Sequence, residues 1–387
     1  MKYLLIMCSA LLFVSCKRPI PKSTIPIQGK ATTIYVDWDE AAKDTDTGLS
    51  PFVDSIRYVQ LETNDSALMQ SVRKVCVQGD YIYVQDAYNK IVKYDKIGRF
   101  QSVIGHVGLG PGEYASVQDF CMYKGLIEIL DLEGRKLLSY HASDGTFVRS
   151  TPLRMFFYYF LPIVGHHYLA DINIFLSNGG MGTLLLDSLA NQKERLLSWG
   201  EYPTLMNNIN AFSAISDSTY GIFSQPDYTV YYYTYPNILR RKYEYKFSGG
   251  KTFSSFANVH STDLFKGNAN GGLISPLFYV ENRMFVLSLF SYQTKGYTVL
   301  YDKQRKVSTV SVYPSVSEAG CLFFCPTGTP NLMVGKVPYS VLEALKNAPK
   351  NKLNKPIVES PLYDIALQSK PDDNPVIQLI YLKHANP

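Results

Sequence analysis

The residues best suited to proton transfer or metal binding are few. Histidine occurs six times, at His106, His141, His166, His167, His260 and His384. None stands in a His-Glu-x-x-His or comparable ligand spacing, so no metal and no cofactor is expected. His106 opens a glycine-rich stretch, Gly105 to Tyr114, that also carries Glu113 and Tyr114. His166 and His167 are adjacent at a predicted hairpin. Neighbouring residues on a strand point to opposite faces, so at most one of that pair can face a given site. His106, Glu113, Tyr114, His166 and His167 are therefore the candidate ligand-binding set. No Gly-x-Ser-x-Gly elbow is present, and no pair of carboxylates has a readable separation. The catalytic residues are unassigned.

The glycine-rich stretch invites a phosphate-binding reading. That chemistry needs a helix N-terminus directly after the loop. Ala115 to Met122 reads as a strand instead. The remaining reading is a tight crossover in which glycines permit close backbone approach, Pro111 fixes φ and Glu113 holds neighbouring NH groups. Cysteines add little chemistry. Cys76 and Cys121 sit among apolar residues and read as buried thiols. Cys321 and Cys325 are four residues apart, ~13 Å on an extended strand, too far to bridge without a bend.

These residues are positioned by a repeated unit. Val72 to Phe100 and Val117 to Phe147 carry the same pattern. Cys76 matches Cys121 and Asp86 matches Asp131, each at an offset of 45 residues. That is the period of a propeller blade. Apolar residues alternate in Tyr81-Ile-Tyr-Val-Gln85 and Leu126-Ile-Glu-Ile-Leu130, which reads as strand. Gln78-Gly-Asp80, Ala87-Tyr-Asn89, Lys96-Ile-Gly98 and Ser143-Asp-Gly145 supply the turns. Each copy is thus a four-stranded antiparallel sheet, and such sheets bury both faces only by stacking around an axis. Weaker copies follow: a third from Tyr158, a fourth from Phe212, a fifth from Leu277 and a sixth from Cys321, resuming at Val376 to Leu382. In the fourth, alternation puts Tyr231, Tyr233 and Tyr235 on one face and Tyr232 on the other. Ser340-Val-Leu-Glu343 reads as a capping box opening a short helix inserted in the last blade. The strand Ser55 to Glu62 is expected to close the ring against Val376 to Leu382, removing exposed edges.

The composition agrees with an all-β body. Of 387 residues, 46% are hydrophobic and 18% charged, with 30 tyrosines and 20 phenylalanines, which suit pleated half-buried surfaces. The net charge of +5 is spread without a long basic run, so nucleic acid is not expected as a partner. Residues 1–16 read as a signal peptide: Lys2 precedes an apolar run, Tyr3 to Val14, too short to span a bilayer. Phe13-Val-Ser-Cys16 resembles a bacterial lipobox, which implies lipidation of Cys16 as the first mature residue. Acyl chains would anchor the protein to a membrane. Lys17-Arg18-Pro19 lacks the acidic residues of a surface-export signal, which favours the periplasmic face of the outer membrane. Residues 17–51 read as a polar tether with a strand at Thr33 to Val36, and 52–387 as the propeller.

Four segments carry a resemblance to a known family: Gln60-Leu-Glu-Thr63, Tyr81-Ile-Tyr-Val-Gln-Asp86, Tyr94-Asp-Lys-Ile-Gly-Arg-Phe100 and Gly105 through Gly108-Leu-Gly-Pro-Gly-Glu-Tyr114. With Asp373-Asn-Pro-Val376, these resemble the six-bladed β-propeller lipoproteins of Bacteroidota, akin to NHL-repeat propellers. The resemblance implies fold and address and carries no settled activity. The expectation is an all-β, six-bladed, monomeric propeller lipoprotein acting as a binding or scaffold module for a glycan, peptide or envelope protein. The rival is a propeller lyase or hydrolase using acids and histidines at the central funnel, with or without a metal.

Overall fold

The computed structural model describes residues 22–41, 49–172, 181–200, 211–253, 272–293, 295–313, 324–326, 331–350, 353 and 358–383. Within these, six antiparallel four-stranded sheets follow one another as blades. Blade one spans Val72–Val103, blade two Asp119–Pro152 and blade three Tyr159–Gly200. Blade four spans Phe212–Phe247 and blade five Ser275–Tyr313. Blade six combines Phe324–Pro326, Leu332–Val337 and Val376–Leu382 with the early strand Val53–Gln60. The first strands of blades six, one, two and three touch in succession, as do those of four and five, so they form the inner wall.

The ring closes where the sequence predicts. Ile56 lies opposite Ile380 and Tyr58 opposite Gln378 in an antiparallel ladder. Two further devices lock this seam. Asn374 is buried; its Oδ1 accepts from Met69 N (2.8 Å) and its Nδ2 donates to the Glu62 (2.7 Å) and Ala67 (2.9 Å) carbonyls. Gly98, at φ +88°, sits so close to the closing strand that a Cβ would lie 2.1 Å from the Gln60 carbonyl oxygen. Only glycine meets both demands.

Three expectations change. The inserted helix runs over Tyr339–Asn347 with Pro338 at its N-cap and no side-chain cap. Ser340 therefore lies inside the first turn, and the capping box does not form. A second helix, Pro361–Gln368, begins on a proline that presets the helical φ. The two helices bury Leu342, Leu362 and Ala366 against Val337 and Val376 of blade six. The stretch read as a tether is partly built into the propeller. Ile27–Gln28 and Thr32–Val36 add in parallel to the outer strand of blade four. Trp38, just beyond them, stacks on Phe247 and Tyr292. Pairing satisfies backbone groups that an outer edge would otherwise expose.

Between blades the core is aromatic and aliphatic. Tyr83, Ile91, Ile104, Tyr114, Phe120 and Tyr140 fill the gap from blade one to blade two. In blade four, Tyr231 and Tyr233 face blade three while Tyr232 faces blade five, as alternation requires.

Candidate functional site

The glycine-rich crossover joins blades one and two and is pinned at several points. The Glu113 carboxylate accepts from Gly110 N (2.7 Å). Gly108 N donates to Tyr114 O (2.9 Å), and Tyr114 N to His106 O (3.0 Å). Tyr114 is buried, and its hydroxyl donates to Ile104 O (2.9 Å). The Tyr140 hydroxyl of blade two donates to Gly112 O (2.8 Å). Glu113 and Tyr114 thus act as struts from within, and Tyr114 has no surface left for a ligand. What the loop presents outward is His106, Val107 (60% exposed), Leu109 (87% exposed) and Pro111. Val107 and Leu109 carry no chemistry that spacing could reveal, so a reading of the sequence alone misses them.

The histidine pair separates, but not by strand alternation: His166 ends a tight 3-10 turn at φ +59°, and His167 begins the strand that follows. His166 turns toward blade two and His167 toward blade four. Glu128 of blade two, fully buried, gathers His166 Nε2 (3.1 Å), the Tyr168 hydroxyl (3.1 Å), the Ser139 hydroxyl (3.1 Å) and Arg149 Nη2 (3.6 Å). Arg149, which can only donate, donates to His166 Nε2 at 2.8 Å, so that nitrogen is an acceptor and its approach to Glu128 is a contact rather than a hydrogen bond. The His166 backbone NH donates to the Tyr123 hydroxyl (3.1 Å). Burial, with the Glu128 charge, raises the Tyr168 phenol far above its usual range. This is an inter-blade clasp. His167 packs on Tyr235 with ring centroids 5.2 Å apart, and its Nε2 lies 3.2 Å from Lys193 Nζ. His106 is on the blade one–two loop, so the five predicted residues do not converge. His260 and His384 lie outside the described residues, as do Cys16, Cys321 and the side chain of Cys325.

A second clasp joins blades four and five. Glu281, buried, receives hydrogen bonds from Tyr232 and Tyr279 and an ion pair from Lys303. Burial lowers the Lys303 ammonium, and Glu281 beside it opposes that.

Inner strands hold a third polar set. Lys74 Nζ lies 2.6 Å from Asp119 Oδ1 and 3.7 Å from Cys121 Sγ. Burial is the largest influence and works against the Lys74 charge, but Asp119 and the Cys121 and Cys76 sulfurs together outweigh it and hold the ammonium well above its ordinary value. The Cys121 thiol donates to Phe160 O (3.1 Å), and burial pushes it well above the usual thiol range. A thiol held protonated is a poor nucleophile. Cys76 and Cys121 are both buried and free of disulfides. Among the described residues no group of three or more His, Cys, Asp or Glu is arranged to hold a metal.

The chain matches the family model described as "Domain of unknown function (DUF4934)" over residues 33–381. It belongs to the DUF4934 family. Among solved structures, this DUF4934 propeller is similar to a protein of Bacteroides fragilis NCTC 9343 described as a "putative exported protein". The two share 17% identity with a TM-score of 0.75, covering 91% of this chain and 100% of that one. At that identity the likeness shows the fold. A streptogramin B lyase structure aligns at TM-score 0.41 and 13% identity, over 73% of this chain and 80% of that one. The RRP9 WD40 repeats align at 0.43 and 11%, over 86% and 99%. Neither bears on the function of the DUF4934 propeller. No curated protein matches it. No helix among the described residues is long and apolar enough to cross a membrane.

Proposed function

We propose that the chain is an exported binding module, anchored through a lipidated Cys16 at the periplasmic face of the outer membrane, that captures a peptide or protein partner. The observation that carries this reading is the apolar tip of the pinned crossover. Leu109 stands 87% exposed on a loop held by Glu113, Tyr114 and Tyr140. A loop already ordered before binding loses little conformational freedom on complex formation. Its apolar tip suits a peptide or protein surface better than a glycan, which asks for polar groups and flat aromatic rings. His106 beside it adds one hydrogen-bonding group. The leader's lipobox-like Phe13-Val-Ser-Cys16 and the exported description of the similar Bacteroides protein support the address. The enzyme reading has less behind it, because the clasp acids Glu128 and Glu281 and the inner-wall Asp119 are already engaged with cations, hydroxyls or backbone NH groups.

Peptide and glycan arrays probed with the propeller and with Leu109→Asp and His106→Ala test the binding surface. The expected result is peptide binding lost in Leu109→Asp at an unchanged melting temperature. Glycan binding indifferent to both substitutions would overturn the assignment. Labelled palmitate should enter the wild-type chain in cells and not Cys16→Ala. Equal labelling would remove the anchor from the account.

A further inference from the structure

Blade three carries a row of polar side chains across its face. Tyr159, Asp171 and Thr183 lie directly opposite one another on three adjacent strands. Cross-strand partners share a face with Cβ atoms about 5 Å apart. Two residues along the same strands, Leu169 and Leu185 belong to the apolar cluster that includes Ile222 and Tyr231 of blade four. Alternation places Asp171 and Thr183 on that same face, toward blade four. Both are 0% exposed. Neither carboxylate oxygen of Asp171, nor the Thr183 hydroxyl, has a hydrogen-bond partner among the described residues. Tyr159 feels the Asp171 charge and also faces the Asp119, Lys74 and Arg73 charges, but no titratable group hydrogen-bonds Asp171 or Thr183. Arg195, on the outer strand, points its Nη1 over Gly182 without bonding either Asp171 oxygen. Tyr231, from blade four, donates to Asp227.

Buried polar atoms in native proteins have partners, in the chain or as bound water or ions. Three clustered oxygens with one potential negative charge form a hard donor set. Their complete burial suits a single atom rather than a sugar or peptide. One carboxylate balances one positive charge, whereas calcium sites recruit several charged oxygens. We propose that Asp171 and Thr183, with Tyr159 beside them, hold a monovalent alkali cation, sodium or potassium, in the gap between blades three and four. Binding exchanges the carboxyl proton for the metal ion, so it strengthens as pH rises.

The test compares melting of the full chain, Asp171→Asn and Thr183→Val in choline, sodium, potassium and calcium chloride at matched ionic strength and pH 7.5. Sodium or potassium should raise the wild-type melting temperature by several degrees over choline. The rise should vanish in Asp171→Asn and shrink in Thr183→Val. Crystals soaked in rubidium or thallium salts should show one strong anomalous peak beside Asp171. Equal melting in every salt, the result for water alone, overturns the proposal. So does an equal rise in Asp171→Asn, a larger response to calcium, or crystals without the peak.

Discussion

Blades one and two use their aspartates differently from blade three. Asp86 accepts from the backbone NH groups of Gln70, Ser71 and Ala87, and Asp131 from those of Ala115, Ser116 and Gly134. Each carboxylate ties the incoming crossover to the end of its blade's second strand. In blade three the register moves by one residue. Tyr158 N donates to Asp171 O as Gln118 N does to Leu130 O, so Asp171 takes the place of Leu130 and Ile172 that of Asp131. An acid one position along the strand faces the neighbouring blade instead of the crossover. A one-residue shift turns a structural cap into an unpartnered buried carboxyl.

The largest effect expected from this contrast is on the capped side. Asp131→Ala strands three buried or half-buried NH groups and should cost about 3–5 kcal/mol, read by chemical denaturation. A loss under about 1 kcal/mol would mean that the caps are dispensable. Gly98→Ala should come close to it, since the added methyl meets the Gln60 carbonyl of the closing strand at a positive φ. Normal folding of that variant would show a looser seam than the geometry describes. Smaller is Glu113→Gln, which weakens the one side-chain contact to Gly110 N and should cost about 1 kcal/mol. Unchanged melting together with lost peptide binding would turn Glu113 from a strut into a ligand contact. Smallest is Leu109→Ser, expected within about 0.5 kcal/mol because the side chain touches solvent rather than core.

The same contrast marks how far the sequence could be read. Asp86 and Asp131 match at 45 residues because both do the same job, and the first two blades are legible for that reason. The ring seam near Tyr58 and Ile380 is legible because both segments are short apolar runs rich in β-branched and aromatic residues, at the two ends of the repeat. Blade three is harder. Its outer strand, Gln192–Gly200, pairs through several register shifts that blur period two, and its aspartate is displaced from the repeat. The strand expected at Thr33 to Val36 is present as Thr32–Val36, but its parallel pairing with blade four leaves no mark on the sequence, and Ile27–Gln28 is too short to show a period. Of the candidate residues, Glu113 could be placed as a strut from its glycine neighbours, whereas His166 and His167 part at the junction of a turn and a strand rather than by the alternation expected. The clasp around Glu128 was legible only in part: Glu128, Ser139 and Arg149 lie opposite one another on the strands of blade two, whereas His166 and Tyr168 join them only when blade three stacks on it. Leu109 was silent for the opposite reason: exposed leucine has no spacing signature.

That a one-residue displacement in the repeat decides an aspartate's role is tested most directly at Asp171. Burial alone pushes its carboxyl up from 3.8 to about 8. The folded state therefore keeps the proton that the unfolded chain gives up. The stability contributed is complete below about pH 4 and is lost as pH rises to about 8. Asparagine undergoes no such loss. In choline buffer, with no alkali metal present, the melting temperature of Asp171→Asn minus that of wild type is predicted to grow from about pH 4 to about pH 8 and then level off. A difference that stays flat across that range, or that falls as pH rises, would contradict the account.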